Sequence, residues 1–431
     1  MATAATSIVF VIDRASQRTP RELADPLRWT GWLKYTMPPN IADAYMADER
    51  LYQHIYNYAE VAQQRSLPSR AQRESDREVA ISEQLLWIHR LQHRRPGSTV
   101  FVITWTQFRD LVLASNGGDP NHLLHELAKI NAGLLIHGGT DLTIDYRTPS
   151  GRDTFQSVEE EELYIERLRM LSRCFPVWPP VRELRTAARK LQIMHDLDHI
   201  AREITKSPRP HTVLYNGGRT QGDCVYKREG SKNSDRFYRG KLKPKRKIDE
   251  DIELTGGRWR WMEQKEIPLL CNTGELRVYV AGSAVQHAVH TIRLPHGGFV
   301  SSVLRDCLLP QDMIVNRASG CFARSGGSEA IRTTARELLE WFVLNTVDGL
   351  AMQEVAALGL GESSLLQYAR VDLGVMRGED GKLHWFVNQV ARGLGAGLFA
   401  AKDPNAALQV IDSVLESVLK WRRDWTADPS R

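Results

Sequence analysis

The side chains best able to do chemistry lie in the second half of the chain, as single cations, acids and amides on runs that read as strands. Lys227 ends the run Cys224-Val-Tyr-Lys227 and leads into Arg228-Glu-Gly-Ser231. A lysine leaving a strand into a Gly/Ser loop can hold phosphate oxygens with its ammonium and with backbone N–H groups. Trp261-Met-Glu-Gln-Lys-Glu-Ile267 passes from apolar to polar before Pro268, a strand end whose backbone can meet an adenine edge. Glu275 and Arg277 share one face of the strand Glu275–Gly282, where an exposed ion pair is worth under about 1 kcal/mol. Arg370 and Asp372 share a face of a strand with apolar flanks, where charges cost solvation unless paired or bound to a metal. Asn388-Gln389 end the following strand near Arg392, and hairpin pairing brings that region within reach of Asp372. Strict alternation sets Asn388 on the opposite face from Gln389.

Other clusters compete with these. Lys227 to Lys247 holds ten basic and two acidic residues with Phe237 and Tyr238 among them, so phosphate contacts and base stacking must be weighed. Lys243-Pro-Lys-Arg-Lys247 also has the composition of a nuclear address. The plainer expectation is a solvated loop between two strands, balanced by Asp249, Glu250, Asp251 and Glu253. His287, His290 and His296 do not converge on a strand, since i and i+3 point to opposite faces. His195 and His199 share a helix face at i, i+4, but Asp196 stands where the HExxH motif has Glu. No GxSxG occurs, and Gly393–Gly397 reads equally as a phosphate loop or a plain turn.

The elements that must position these residues follow from patterning. The chain has 431 residues, long enough for two or three domains with their own cores. With 57 basic and 52 acidic residues the net charge of +5 is mild, which argues against a protein that coats nucleic acid. Cys174, Cys224, Cys271, Cys307 and Cys321 are scattered and form no CxxC pair, as expected of a reducing compartment rather than a disulfide scaffold. No run of eighteen apolar residues occurs, so no membrane span is expected and the default location is the cytoplasm. Ile8–Ile12 reads as a first strand rather than a secretory segment.

Residues 1–180 read as an α/β domain. Ile8–Ile12, Val100–Thr104 with Gln107–Leu113, and Ala132–His137 are apolar runs suited to a sheet covered on both faces. Ile41–Ala62 and Ser82–Leu91 have helical spacing, while Gly117-Gly118 and Gly138-Gly139 mark turns. From Pro179 the pattern shifts. Val181–Ile204 is helical and stops at Ser207-Pro-Arg-Pro210; strand-like runs follow at 224–227, 259–262, 276–280 and 284–289, the last two joined at Ala281-Gly282-Ser283. Ser328 opens an amphipathic helix with Ile331, Ala335, Leu338, Leu339 and Phe342 on one face. Ala369–Met376 and Leu383–Val390 form a hairpin about Arg377-Gly-Glu-Asp-Gly381, and Asp403-Pro404 opens a last helix.

Taken in order, Lys227, Glu275-x-Arg277 and Arg370-x-Asp372 resemble the ATP-grasp superfamily across roughly residues 180–400. The resemblance implies an N-terminal α/β domain (1–180) followed by a two-lobed ATP-grasp domain (181–431), with a nucleotide lobe at 181–265 and a larger lobe at 266–431. It implies an ATP- and magnesium-dependent ligase that joins a carboxylate to an amine through an acyl phosphate, in small-molecule biosynthesis or peptide modification. Lys190, Lys227, Ser231 and Arg277 would then meet phosphates, with Glu263, Gln264, Glu266 and Glu275 around the rest of the nucleotide and Glu266 on the ribose. Arg370 would stabilise the oxyanion, with Arg277 and Lys227 also catalytic. Asp372, Gln389 and Asn388 would hold magnesium. The expected partners are a small-molecule or peptide carboxylate, an amine acceptor and a second copy of the chain, without a membrane or nucleic acid. One departure matters: the family's final ligands read Glu or Glu-x-Asn, and this chain has Gln389 and Ala391. An amide brings no charge to a hard cation, so two further readings stand: a nucleotide-binding protein with attenuated catalysis acting by interaction, or a nucleic-acid-binding module using residues 232–247.

Overall fold

The computed structural model describes residues 7–12, 33–34, 87–88, 90–91, 99–113, 121–137, 155, 157–186, 190–218, 220–229, 237–240, 243–255, 257, 260–293, 299–304, 328–393 and 404–426. Chain contacts divide the protein into two units. Met1–Thr140, Asp153–Leu184 and Gly393–Arg431 make the first; Asp141–Arg152 and Arg185–Arg392 make the second. The expected helix at 41–62, the Gly117-Gly118 and Gly138-Gly139 turns, Ser231 and His296 lie outside the described residues.

The first unit is α/β. Strands β1 (Ser7–Ile12), β2 (Leu33–Lys34), β3 (Val100–Thr104), β4 (Ala132–His137) and β5 (Val177–Trp178) form one sheet in the order β2-β3-β1-β4-β5. β1 runs parallel to β3 and β4, and β4 parallel to β5. Val9, Phe10 and Val11 are fully buried, as successive residues must be on a strand covered on both faces. Helices α1 (Trp105–Leu113), α2 (Asn121–Lys129) and α3 (Val158–Ser172) accompany the sheet. The strand expected at Gln107–Leu113 is part of α1: Phe108, Leu111 and Val112 are buried at helical spacing, which a short apolar run does not distinguish from strand. Ser157 caps α3 by accepting from the Glu160 N–H at 3.2 Å, and Glu159, Glu160 and Glu161 follow in its first turn, where carboxylates meet the positive helix end.

The C-terminal helix, Pro404–Asp424, belongs to this unit. Arg90 grips Asp412 with Nε and Nη2 at 2.5 and 2.6 Å, and Arg422 Nε donates to the Gly133 carbonyl. Contacts therefore set residues 393–431 apart from the domain that the 180/181 boundary gave them.

The second unit begins with helix α4 (Lys190–Ile200). The stretch expected to be helical from Val181 to Ile204 is a short 3-10 turn at Val181–Glu183, then α4, then a single π-turn at Ala201–Thr205 that ends on Lys206 at φ 50°. A four-stranded sheet follows, β6 (Thr212–Leu214), β7 (Cys224–Arg228), β8 (Phe237–Arg239) and β9 (Trp261–Lys265), in the order β6-β9-β7-β8 with antiparallel pairs. The basic segment expected to be a loop instead holds β8 and the start of helix α5 (Lys243–Thr255). Pro244 is tolerated in its first turn because that N–H has no helical partner. Ile248 and Ile252 of α5 cover one sheet face with Tyr215, Cys224, Tyr226, Tyr238 and Trp261.

Helix α6 (Pro268–Thr273) precedes a second, antiparallel sheet of β10 (Glu275–Ala281), β11 (Ala284–Arg293), β12 (Phe299–Leu304), β13 (Tyr368–Arg377) and β14 (Leu383–Arg392). Its order is β12-β11-β10-β13-β14, with the long helix α7 (Ser328–Leu358) entering between β12 and β13 in sequence. Gly282 (φ 58°) and Ser283 (φ 61°) make the two-residue loop between Ala281 and Ala284, the double positive φ of a type I′ hairpin. One sheet face is apolar: Leu276, Val278, Val280, Val371, Leu373, Val375, Trp385 and Val387 pack with Ile193, Leu197 and Ile200 of α4 and with Leu339, Val343 and Val347 of α7. Alternation leaves the other face for the polar residues of the same strands. Among the described residues, no helix is long and apolar enough to cross a membrane.

Candidate functional site

The polar face of the second sheet is built on one cross-strand row. Arg277 on β10 stands opposite Asp372 on β13, and Asp372 stands opposite Gln389 on β14. Tyr279 and Arg370 make the next row. Arg370 clasps Asp372 with Nε to Oδ1 at 2.7 Å and Nη2 to Oδ2 at 2.9 Å, and the Asp372 side chain is only 4% exposed. Burial alone would lower the Arg370 guanidinium, but the Asp372 carboxylate outweighs it and holds Arg370 above its usual value. Glu275 Oε2 lies 3.5 Å from Arg277 Nε, so the two make an ion pair. That nitrogen is buried and makes no hydrogen bond. Burial first, then the neighbouring Asp372 charge, pushes the Glu275 carboxyl above the usual carboxylate value.

β14 departs from strict alternation at the site. The register shifts between Asp372 and Leu373, whose partners are Gln389 and Val387, so Asn388 is the extra residue of a β-bulge. Val387 and Val390 both enter the core, which leaves both intervening amides off it. Asn388, expected on the face opposite Gln389, instead donates from Nδ2 to Glu275 Oε1 at 2.8 Å. Gln389 is exposed.

The four-stranded sheet contributes through Lys227. Its Nζ donates to Gln264 Oε1 on the neighbouring β9 at 2.8 Å and to Asn388 Oδ1 at 3.3 Å. Gln264 is in turn held by Thr212 Oγ1 at 3.0 Å. Burial lowers the Lys227 ammonium to about 8; Glu275 works against the fall, and the cations Lys190 and Arg209 add to it. Lys190 is the first residue of α4. The next residue, Leu191, donates its N–H to Glu229 Oε1 at 3.1 Å, and Arg260 Nε holds Glu229 Oε2 at 2.8 Å. A carboxylate just beyond Lys227 therefore caps the helix that carries Lys190, as the partial positive charge at a helix start favours.

Of the residues singled out from sequence, Lys227, Gln264, Glu275, Arg277, Arg370, Asp372 and Asn388 are joined by these bonds and by strand register. Lys190 bears on the group through its charge. Glu263 is not brought in: it lies on the other face of β9, accepting from Tyr226 Oη at 2.7 Å. Glu266 pairs with Arg239 at 3.2 Å. Tyr238, weighed as a stacking residue for nucleic acid, lies 5.4 Å from Trp261 at 15°, with Lys247 Nζ 5.4 Å over its ring. His290 bonds the Thr273 carbonyl through Nε2 at 2.6 Å. Glu229 and Arg209 were not singled out; the prolines flanking Arg209 are the one sequence sign that its backbone is fixed.

Among the described residues, no three His, Cys, Asp or Glu side chains converge on a metal position. The donors present are the Asp372 carboxylate and the amide oxygens of Gln389 and Asn388. Both Asp372 oxygens are held by Arg370 and Asn388 Oδ1 accepts from Lys227, so such a set would take one magnesium ion only by exchanging those partners, and its single negative charge would not suit two.

No family model matches the chain, and no curated protein matches it. Solved structures do. The chain is similar to D-cycloserine synthetase DcsG at 14% identity and a TM-score of 0.45, covering 78% of this chain and 94% of that one. It is similar to D-alanine–D-alanine ligase from Bacillus anthracis at 12% identity and a TM-score of 0.45, covering 83% and 96%. It is also similar to the ATP-grasp ligase PsnB complexed with minimal precursor, at 12% identity and a TM-score of 0.41, covering 78% and 94%. An ATP-grasp ligase is thus among the solved structures that this chain is similar to.

Proposed function

We propose that the second unit binds the triphosphate of ATP and joins a carboxylate to an amine. The observation that carries this reading is the gathering of Lys227, Arg277 and Arg370 with Glu275, Asp372 and Asn388, with the Lys190 charge bearing on the same lysine. Phosphoryl transfer asks for positioning and charge neutralisation more than for covalent help. In this reading Lys190, Lys227 and Arg277 hold phosphate oxygens, and the unbonded Arg277 Nε has an acceptor to gain. Gln264, Glu275 and Glu266 contribute to the rest of the nucleotide, with Glu266 exchanging Arg239 for the ribose hydroxyls. Ser231, in the segment after Lys227, adds a phosphate donor. A substrate carboxylate oxygen bonds to the γ-phosphorus as the bond to ADP breaks; the amine then bonds to the acyl carbon, phosphate departs and the nitrogen loses a proton. Arg370 holds the oxyanion of that second addition. Asp372, Gln389 and Asn388 would hold magnesium, which supplies charge to the phosphates when bound.

A second reading has its own observation. Gln389, the neutral amide opposite Asp372 in strand register, lowers the charge available to a metal, which favours a nucleotide-binding protein with attenuated catalysis. The basic segment supports nucleic-acid binding less well, since Tyr238, one of the two aromatic residues that reading would use for stacking, is already stacked on Trp261.

Calorimetric titration of ATP, with and without magnesium, tests both on wild type and Gln389→Glu. Magnesium-dependent binding by wild type, followed by ADP release on addition of a carboxylate and an amine, supports the ligase. Metal-coupled binding gained only in Gln389→Glu supports attenuation. Binding by neither protein refutes the nucleotide reading; a steep loss of nucleic-acid affinity with added salt would then favour the basic segment.

A further inference from the structure

Arg209 touches none of the residues just given a role, yet it is bonded to the elements that deliver them. Its side chain is 5% exposed. Nε donates to Asp198 Oδ1 at 2.6 Å and Nη2 points at Met194 Sδ at 3.1 Å, both on α4, the helix that starts with Lys190. Nη1 donates to the Val387 carbonyl on β14, the last ordinary residue before the bulge that turns Asn388 toward Lys227 and Glu275. Three residues after Arg209, Thr212 opens β6 and holds Gln264, the other acceptor for Lys227.

The local sequence makes Arg209 a fixed strut. The π-turn after α4 is closed by Ser207 N–H to the Ala201 carbonyl at 2.9 Å. Pro208 and Pro210 then flank Arg209: proline fixes its own φ, and the residue before a proline is confined to extended backbone. The backbone thus loses little further freedom on ordering, which lets one long side chain be held at its tip. A bulge is a soft point in a sheet, since its extra residue has no partner across the ladder. A guanidinium on the carbonyl beside it fixes which amide faces the site.

We propose that Arg209 is a positioning residue for the nucleotide site, locking α4, the start of β6 and the β14 bulge so that Lys227 is held between Gln264 and Asn388. The proposal rests on the nucleotide reading for its consequence, but its geometry is testable without nucleotide.

The experiment compares wild type with Arg209→Met, Arg209→Lys and Asp198→Asn. Amide hydrogen exchange of the peptide carrying the β14 bulge is read by mass spectrometry without nucleotide, and ATP affinity is read by calorimetry. Arg209→Met unties the Val387 carbonyl and frees Asn388, so exchange at the bulge accelerates about tenfold and ATP affinity falls about tenfold, each equivalent to ~1.4 kcal/mol. Arg209→Lys keeps the charge but not the fork that spans α4 and β14, so it restores neither the slow exchange nor the affinity in full. A folded Arg209→Met with wild-type exchange at the bulge and wild-type affinity overturns the proposal. If Arg209→Met does not fold, Asp198→Asn decides: weaker ATP binding on an intact fold supports the role, and unchanged binding overturns it. Should wild type bind no ATP, the nucleotide reading fails, and exchange at the bulge still decides whether Arg209 locks β14.

Discussion

Replacing Arg370 by methionine tests the electrostatic frame of the site most directly. Asp372 has a 4% exposed side chain with both oxygens on Arg370, and Glu275 is raised by burial and by the Asp372 charge itself. Removing the guanidinium leaves two neighbouring carboxylates with much less compensation. Breaking a buried pair from one side costs about 3–5 kcal/mol, far more than the net worth of the pair. Because the chain has two units, a global unfolding curve need not be two-state. Hydrogen exchange of peptides spanning β10 and β13 reads the local free energy instead. The expected acceleration at pH 8, corrected for intrinsic rates, is roughly a hundred- to several-thousand-fold, from ~1.4 kcal/mol per decade. The effect should shrink at pH 5. Glu275 has a raised folded-state value, so the folded state binds its proton more tightly than the unfolded chain, and stability falls as pH rises from the ordinary carboxylate value through the folded one. Taking away the cation enlarges this term. Arg370→Met combined with Asp372→Leu should recover most of the loss. A loss under about 1 kcal/mol, or one equal at pH 5 and pH 8, would refute the reasoning, because a buried pair cannot behave like a surface one.

Other outcomes follow from separate parts of the molecule. Gly374→Ala should destabilise by about 1–3 kcal/mol in thermal or urea melts, because a Cβ there would sit 2.6 Å from Phe386 and 2.8 Å from Leu270 in a packed region; an unchanged midpoint would contradict this. His137, 3% exposed and bonded through Nε2 to Tyr164 Oη at 2.8 Å, is lowered by burial from 6.5 to about 4. Its contribution to stability is present above about pH 6.5 and is lost as pH falls toward 4, about 2 kcal/mol between pH 7 and pH 5. His137→Gln should flatten that part of the stability profile, and an unaltered profile would reject the assignment. Lys227→Ala and Asp372→Asn should each abolish nucleotide-dependent turnover with the circular dichroism spectrum retained; wild-type turnover in either would remove these residues from the site.

Much of the site frame was legible because it rests on short-range regularities. Glu275 with Arg277, and Arg370 with Asp372, share faces simply by the two-residue period of a strand, and the Gly282-Ser283 loop is a turn by its chemistry. Asn388 was misplaced because a bulge breaks that period without a composition signal: Val387-Asn-Gln-Val390 looks the same whether one amide or both leave the core. Residues 107–113 read wrongly because Phe108, Leu111 and Val112 form too short an apolar run to separate two periods. The basic run at Lys243–Lys247 became helix because Ile248 and Ile252 have a hydrophobic face to cover, a tertiary cause that local charge does not reveal. Arg209 escaped notice because its partners, Asp198, Met194 and the Val387 carbonyl, are 11, 15 and 178 residues away in sequence.

The return of residues 393–431 to the first unit has a consequence for how the protein is made. A chain synthesised from its N-terminus exposes β1 before any strand of the second unit, yet the helix that Arg90 grips through Asp412 leaves the ribosome after all of them. The second unit, whose last strand ends at Arg392, has its full complement of elements before the first unit does. At about 5–20 residues per second the first unit waits some tens of seconds for its closing helix, with apolar surface open to chaperones meanwhile. Nascent chains stalled with Arg392 just clear of the exit tunnel should therefore show a protease-resistant second unit and a labile first one. Protection appearing in the first unit before Asp412 has emerged would mean that this helix is an ornament on that unit rather than its final closure.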